Sequence, residues 1–121
     1  MADQEMEAKV LSILSEINVD SIFCIEIANH DLIIHQANGD IKRRARLKDF
    51  EDVMEKYNIF KCHRSYLVNI DKIDRIEKNS ILLTNAKCVP VSRSYKEKIK
   101  NILNAMQKSL NKQALLKGED K

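Results

Sequence analysis

The sequence predicts a mainly β domain with one short internal helix and a C-terminal helix, and three observations carry that prediction. Runs rich in β-branched and aromatic residues, starting with "SIFCIEI" at Ser21, recur as far as Val91. Turn residues separate them at short intervals. Gly39 and Gly118 are the only glycines, so Asn29, Asn58, Asn69, Asn79 and Asn85 are expected at turns, Asn being tolerant of the left-handed region. Apolar residues at helical spacing are confined to the two ends of the chain and one segment near its middle.

Residues 1–17 read as an amphipathic helix, because Val10, Leu14 and Ile17 recur near a 3.6 period and no Gly or Pro precedes Asn18. The same "KVLSIL" also fits a first strand, and periodicity over so short a run leaves both open. "SIFCIEI" is the next strand. "LIIHQA", then Asn38-Gly39, then "DIKRRARL" is a hairpin whose turn needs positive φ at both central positions. Leu47, Phe50, Val53, Met54 and Tyr57 mark one face of a helix over about 47–57, which packs on the sheet. "IFKCHRSYLV", "KIDRIEK", "SILLT" and "KCVPV" follow as strands, with turns at Asn79 and Asn85-Ala86. Pro90 cannot donate to a ladder, which sets its strand at an edge or turns its nitrogen away from a partner. Ser92 is the expected N-cap, with Ser94 the alternative, of a helix over about 93–116 through Ile99, Ile102, Leu103, Met106 and Leu110. The closing "KGEDK" is expected to be a frayed tail.

At 121 residues there is room for one domain and one core, and 44% hydrophobic with 32% charged residues excludes wholesale disorder. The longest apolar runs, such as "IFCI" at Ile22, fall far short of the roughly 20 residues that span a bilayer. No signal segment opens the chain, so a cytoplasmic location is expected. The net charge of +3 does not announce a nucleic-acid binder, but the basic residues are clustered. Lys42, Arg43, Arg44, Arg46 and Lys48 crowd together, and a second series runs from Arg93 through Lys96, Lys98 and Lys100. Either run taken alone reads as a solvated face.

The stretch "FKCHRSYLVN" from Phe60 sets a cysteine, a histidine and an arginine side by side. In a strand, neighbours point to opposite faces, so Cys62 and His63 cannot act as a thiol and imidazole pair. A dyad of Cys62 with His30 or His35 would need folding to make it, and nothing in the sequence suggests one. With no glycine-rich phosphate loop, carboxylate cluster or nucleophile elbow, no enzyme activity and no small-molecule substrate are expected. Cys24, Cys62 and Cys88 each stand alone, without the paired spacing of a zinc site, so they are expected to be reduced core residues. No metal or cofactor is implied.

"FKCHRSYLVNIDKI", followed about fifteen residues on by "CVPVSRSYKEKIK", closely resembles the LytTR family of bacterial DNA-binding domains. The hallmark there is a segment of the type F-x-R/K-x-H-R/N-S-Y/F-L/V-V-N, a hairpin, and a second segment ending in Ser-Arg or Val-Arg before a final helix. "IFCIEIANHDLIIH" looks like the family's early strand and loop, and "LKDFEDVMEKY" like its short helix. The resemblance covers about residues 20–103, leaving 1–19 as an N-terminal extension and 104–121 as a helix extension with a polar tail.

The resemblance implies an elongated stack of small, mostly antiparallel sheets whose loops enter successive major grooves of double-stranded DNA. It implies base readout by His30, Arg64 and Arg93. Lys42, Arg43, Arg44, Arg46, Lys61 and Lys96 become candidates for phosphate contact, and His63, Ser65, Asn69 and Ser92 for loop support or phosphate donation. It also implies binding to paired direct repeats, with a second copy on the same DNA. Cys62 and Cys88 precede the two hallmark segments and form a candidate redox pair. There is no room for the receiver that usually precedes such a domain, and the start at "MADQ" with a long polar tail favours a stand-alone regulator. Its control is then expected from a regulatory protein partner, membrane-bound as in stand-alone relatives, on the extra N-terminal segment or the extended last helix. The alternative is an adaptor that binds no DNA and docks other proteins through apolar terminal helices.

Overall fold

The computed structural model describes residues 2–116, with side chains over 7–107. The Leu110 and Leu116 side chains and the "KGEDK" tail lie outside the described residues.

The first segment is a helix, α1 (Ala2–Leu14), not a strand. Its burial has a helical period: Val10, Ile13 and Leu14 are buried while Leu11 is 44% exposed, a pattern that two-residue alternation cannot give. A 3-10 turn follows over Val19–Ser21, held by the Asn18 side chain, which accepts from the Asp20 amide at 3.1 Å.

Five strands then form the central antiparallel sheet: β1 (Ile22–Ala28), β2 (Asp31–Gln36), β3 (Gly39–Arg44), β4 (Ile59–His63) and β5 (Tyr66–Asn69). Their order in space is β3-β2-β1-β5-β4. A helix, α2 (Leu47–Glu55), connects β3 to β4 and buries Leu47, Phe50 and Met54, ending two residues before Tyr57. A smaller sheet, β6 (Ile73–Ile76), β7 (Ser80–Leu83) and β8 (Cys88–Pro90), has β7 in the middle. Pro90 therefore sits on an edge strand, as its missing N–H requires. The last helix, α3 (Arg93–Leu116), starts where Ser92 offers its carbonyl to the Tyr95 and Lys96 amides.

Two apolar cores lie on opposite faces of the central sheet. Val10, Ile13 and Leu14 of α1 and Phe50 and Met54 of α2 pack with Ile25, Leu32, Ile34 and Leu67 on one face. Cys24, Cys62 and Val68 on the other face pack with Ile81 and Val89 of the small sheet and Ile99 of α3. Being covered on both faces explains why β1 buries Cys24 and Ile25 in succession.

The turns depart from expectation in three respects. The β2–β3 register pairs Gln36 with Gly39, so the connection is Ala37-Asn38, and among these residues only Gly39 has a positive φ, at 126°. Two consecutive positive φ values occur one hairpin earlier, at Asn29 (51°) and His30 (70°) between β1 and β2. In the turn after β7 it is Ala86, at 71°, that is left-handed, while Asn85 bonds the Lys87 amide through its side chain. Asn58 takes the left-handed position expected of it, whereas Asn69 ends a strand and caps a 3-10 turn over Ile70–Lys72.

Candidate nucleic-acid interface

Strand register brings the hallmark residues to one end of the central sheet. "FKCHRSYLVN" is two strands, with Arg64 and Ser65 forming the tight connection between His63 and Tyr66. The turn lacks Gly, Pro or Asn and is held by a side chain instead, since His63 Nδ1 accepts from the Ser65 amide at 3.1 Å. The His63 ring also meets Tyr66 edge to face, with centroids 5.7 Å apart. His63 is thus a support of the turn.

Glu26 of β1 lies opposite Tyr66 of β5, and the Ile27 amide donates to the Ser65 carbonyl at 3.0 Å. The Arg64 turn and the Asn29-His30 turn are therefore neighbours at the same end. Arg44, last residue of β3, pairs with Asp31 there and extends the row. The β8–α3 junction joins from the far side, where the Ser92 amide donates to the Cys62 carbonyl at 2.9 Å and the Cys62 thiol points to the Pro90 carbonyl at 3.5 Å. Arg64 stands two residues beyond Cys62, and Arg93 one beyond Ser92. From β3 to β4 is four strand steps at about 4.8 Å each, an edge roughly 19 Å wide.

His30, Arg64 and Arg93 are exposed, and none makes a side-chain hydrogen bond or ion pair with any described residue. The other candidates divide. Lys42 and Arg44 are exposed and outside any ion pair among the described residues. Arg43 instead pairs with Glu16 beyond α1, and Arg46 with Asp49 at 3.0 Å. Lys61 pairs with Glu51 of α2 at 2.5 Å, a bond that raises its pKa, and lies 5.9 Å from the Tyr95 ring centroid. Lys96 donates to the Lys78 carbonyl at 2.8 Å and ties α3 to the small sheet. Asn69 is 3% exposed at the opposite end of the sheet, donating to the Ile22 carbonyl at 2.7 Å and accepting from the Asp71 amide at 2.9 Å. So placed, it supports the fold and cannot touch a phosphate. Ser92 holds the N-cap position, its hydroxyl 3.3 Å from that of Ser94.

Cys62 is buried in the second core, and burial pushes its thiol up to about 12. Cys88 is exposed on the edge strand, so the two do not share an environment, and the thiol in the same core as Cys62 is Cys24. All three are free. A thiol raised so far holds almost no thiolate near neutrality, which removes the nucleophile that oxidation needs.

Sequence reasoning missed a polar series across the sheet. Buried His35 places Nε2 2.6 Å from Glu26 and Nδ1 2.9 Å from Asp40, joining three adjacent strands near the β2–β3 turn. Burial, then the Glu26 carboxylate of the neighbouring strand, pushes the Tyr66 hydroxyl up to about 12. No spacing in the sequence reveals this, because the partners meet only through cross-strand register. Beside the His30 turn lies a cleft of about 460 Å³ between α1 and the start of α2, which Lys9, Arg44 and Arg46 also line. Among the described residues no helix is long and apolar enough to cross a membrane, and no group of His, Cys, Asp and Glu is arranged to hold a metal.

The model of the LytTr DNA-binding domain matches residues 14–104. Among solved structures, the LytTr DNA-binding domain of a methyl-accepting/DNA response regulator from Bacillus cereus superposes with a TM-score of 0.63 at 22% identity, over 72% of this chain and 84% of that one. That likeness bears on the fold. No curated protein matches the sequence. A central sheet whose turns and following helix carry the hallmark segments to one exposed end, matched by a family description across most of the chain, identifies it: the protein belongs to the LytTr DNA-binding domain family.

Proposed function

We propose that this chain is a bacterial transcription regulator that recognises specific double-stranded DNA, inserting the turns at the exposed end of the central sheet into the major groove. The observation that carries the reading is the grouping of His30, Arg64 and Arg93 at one end, backbone fixed and side chains unpartnered. A buried polar group without a partner would be costly, but two exposed guanidinium groups and an exposed imidazole on a rigid edge are free to meet a ligand. The centres of the His30 and Arg64 turns are two strand steps apart, roughly 10 Å, against a groove about 12 Å wide.

Arg64 and Arg93 each bond O6 and N7 of a guanine with the guanidinium fork, at about 1–3 kcal/mol of discrimination per pair. His30 approaches a base edge or the adjoining backbone. Lys42 and Arg44 contact phosphates, which orient the protein without reading sequence. Ser65 and Ser92 hold the two reading segments. The DNA site is a pair of direct repeats, one copy of the chain on each. Control comes from a regulatory protein that engages α1 or the end of α3.

Selection of bound duplexes from a random pool tests the proposal. The recovered sequences are expected to share a repeated motif and to lose affinity steeply as salt rises. A pool without a common motif rejects specific readout, and a motif present once per duplex rejects the paired repeats.

A further inference from the structure

The family match begins at residue 14, so most of α1 lies outside it, yet α1 reaches the exposed end of the sheet. Its position is fixed by chemistry on one side. Val10 is 1% exposed, Ile13 and Leu14 are buried beside it, and Glu16 just past the helix pairs with Arg43 of β3. Lys9, next to the most buried of these anchors, is exposed and lines the cleft that His30 and Arg44 also line.

Among the described residues that line the cleft the charges do not balance. The one carboxylate among them, Asp49, accepts from Arg46 in two hydrogen bonds of 3.0 and 3.3 Å. Lys9 and Arg44 have no ion pair among the described residues, although both face the same space of about 460 Å³. An ammonium and a guanidinium group lining one open cleft repel each other weakly through solvent, and an anion between them turns that repulsion into two attractions. The cleft opens beside the His30 turn, so the nearest polyanion in the proposed complex is the duplex backbone flanking the contacted bases.

We propose that α1 is part of the DNA interface, Lys9 with Arg44 clamping a backbone phosphate on the His30 side of the base-reading turns. The inference rests on the DNA-binding reading above and adds to it a contact outside the family span. Because the clamp bonds to phosphate, it raises affinity for every sequence and leaves base preference unchanged.

The test is fluorescence anisotropy on a duplex recovered by selection, titrated between about 50 and 200 mM salt. Lys9→Ala is expected to weaken binding roughly fivefold at about 0.15 M salt and to lower the slope of log affinity on log salt by about 0.9. Lys9→Arg keeps both values, and Lys56→Ala, at the far end of α2, changes neither. A walk of single neutral methylphosphonates through the flank is expected to find one position where the wild type loses affinity and Lys9→Ala loses no more. Thermal melting of Lys9→Ala should match the wild type, since the side chain is outside the core. A wild-type slope in Lys9→Ala overturns the clamp while leaving the DNA reading intact. A wild-type chain that binds no duplex overturns that reading, and the clamp with it.

Discussion

The two ends of the central sheet are built from the same strands and treat polar groups in opposite ways. At one end they are turned inward. Asn69 bonds Ile22 and Asp71, the Ala37 amide donates to Ser21, and the Ile70 amide to Asn58. At the other end the backbone is equally well bonded, through Ile27 to Ser65 and Ser92 to Cys62, but His30, Arg44, Arg64 and Arg93 leave their charged or basic groups to solvent. On the proposed DNA-binding reading, the difference separates stability from recognition within one sheet. Satisfied buried groups fix the frame, and unpartnered exposed ones are held ready on it.

That contrast can be broken from either side. The largest effect is expected from Arg64→Ala combined with Arg93→Ala, which should reduce the preference for a selected duplex over a scrambled one by roughly thirtyfold or more, at about 1–3 kcal/mol per lost contact. Competition gel shifts measure it, and melting should stay as in the wild type. At the closed end, Asn69→Ala strands the Ile22 carbonyl and the Asp71 amide and should lower stability by about 2–3 kcal/mol in urea unfolding, with base preference retained wherever the protein is folded. Arg44→Ala sharpens the division within the open end: affinity for selected and scrambled duplexes should fall alike, roughly fivefold per lost phosphate contact at about 0.15 M salt. The smallest effect concerns the thiols. With Cys24 and Cys62 both pushed to about 12 by burial, thiolate at either appears only in strong alkali, so a thiol reagent near neutrality should label Cys88 alone until the protein is unfolded. Rapid labelling of Cys62 in the native state would show that the second core opens.

Where an element is governed by its own residues, the sequence was a sufficient guide. The apolar face of α2 as far as Met54, the edge position of Pro90 and the pairing of the strands around Leu32 and Ile41 follow from period, missing donor and strand alternation, while the hairpin turn falls at Ala37-Asn38 and Tyr57 lies past the helix, exposed. Family resemblance singled out Arg64 and Arg93, and the fold sets the two segments that carry them at one end of the sheet although they are far apart in the chain. Other features depended on partners that only folding supplies. The Arg64 turn hid inside an apparently continuous strand because an imidazole nitrogen, not a turn-forming residue, closes it. Lys61 and Lys96 read as phosphate ligands in the sequence alone, whereas in the fold they bond Glu51 and the Lys78 carbonyl. The two cysteines suggested a pair by adjacency to the motifs, whereas strand alternation sends Cys88 outward while its neighbour Val89 points into the core.

The amide-to-carbonyl link between Ser92 and Cys62 has a bearing on the nucleic acid itself. It ties the Arg64 turn and the start of α3 into a caliper whose backbone opening is set, so in the proposed complex the two guanidinium groups adjust only through their own side-chain torsions. Any larger adaptation then falls to the base pairs lying between the contacted ones. Steps that twist or roll easily, such as pyrimidine–purine steps, are expected to be favoured there although no side chain touches them.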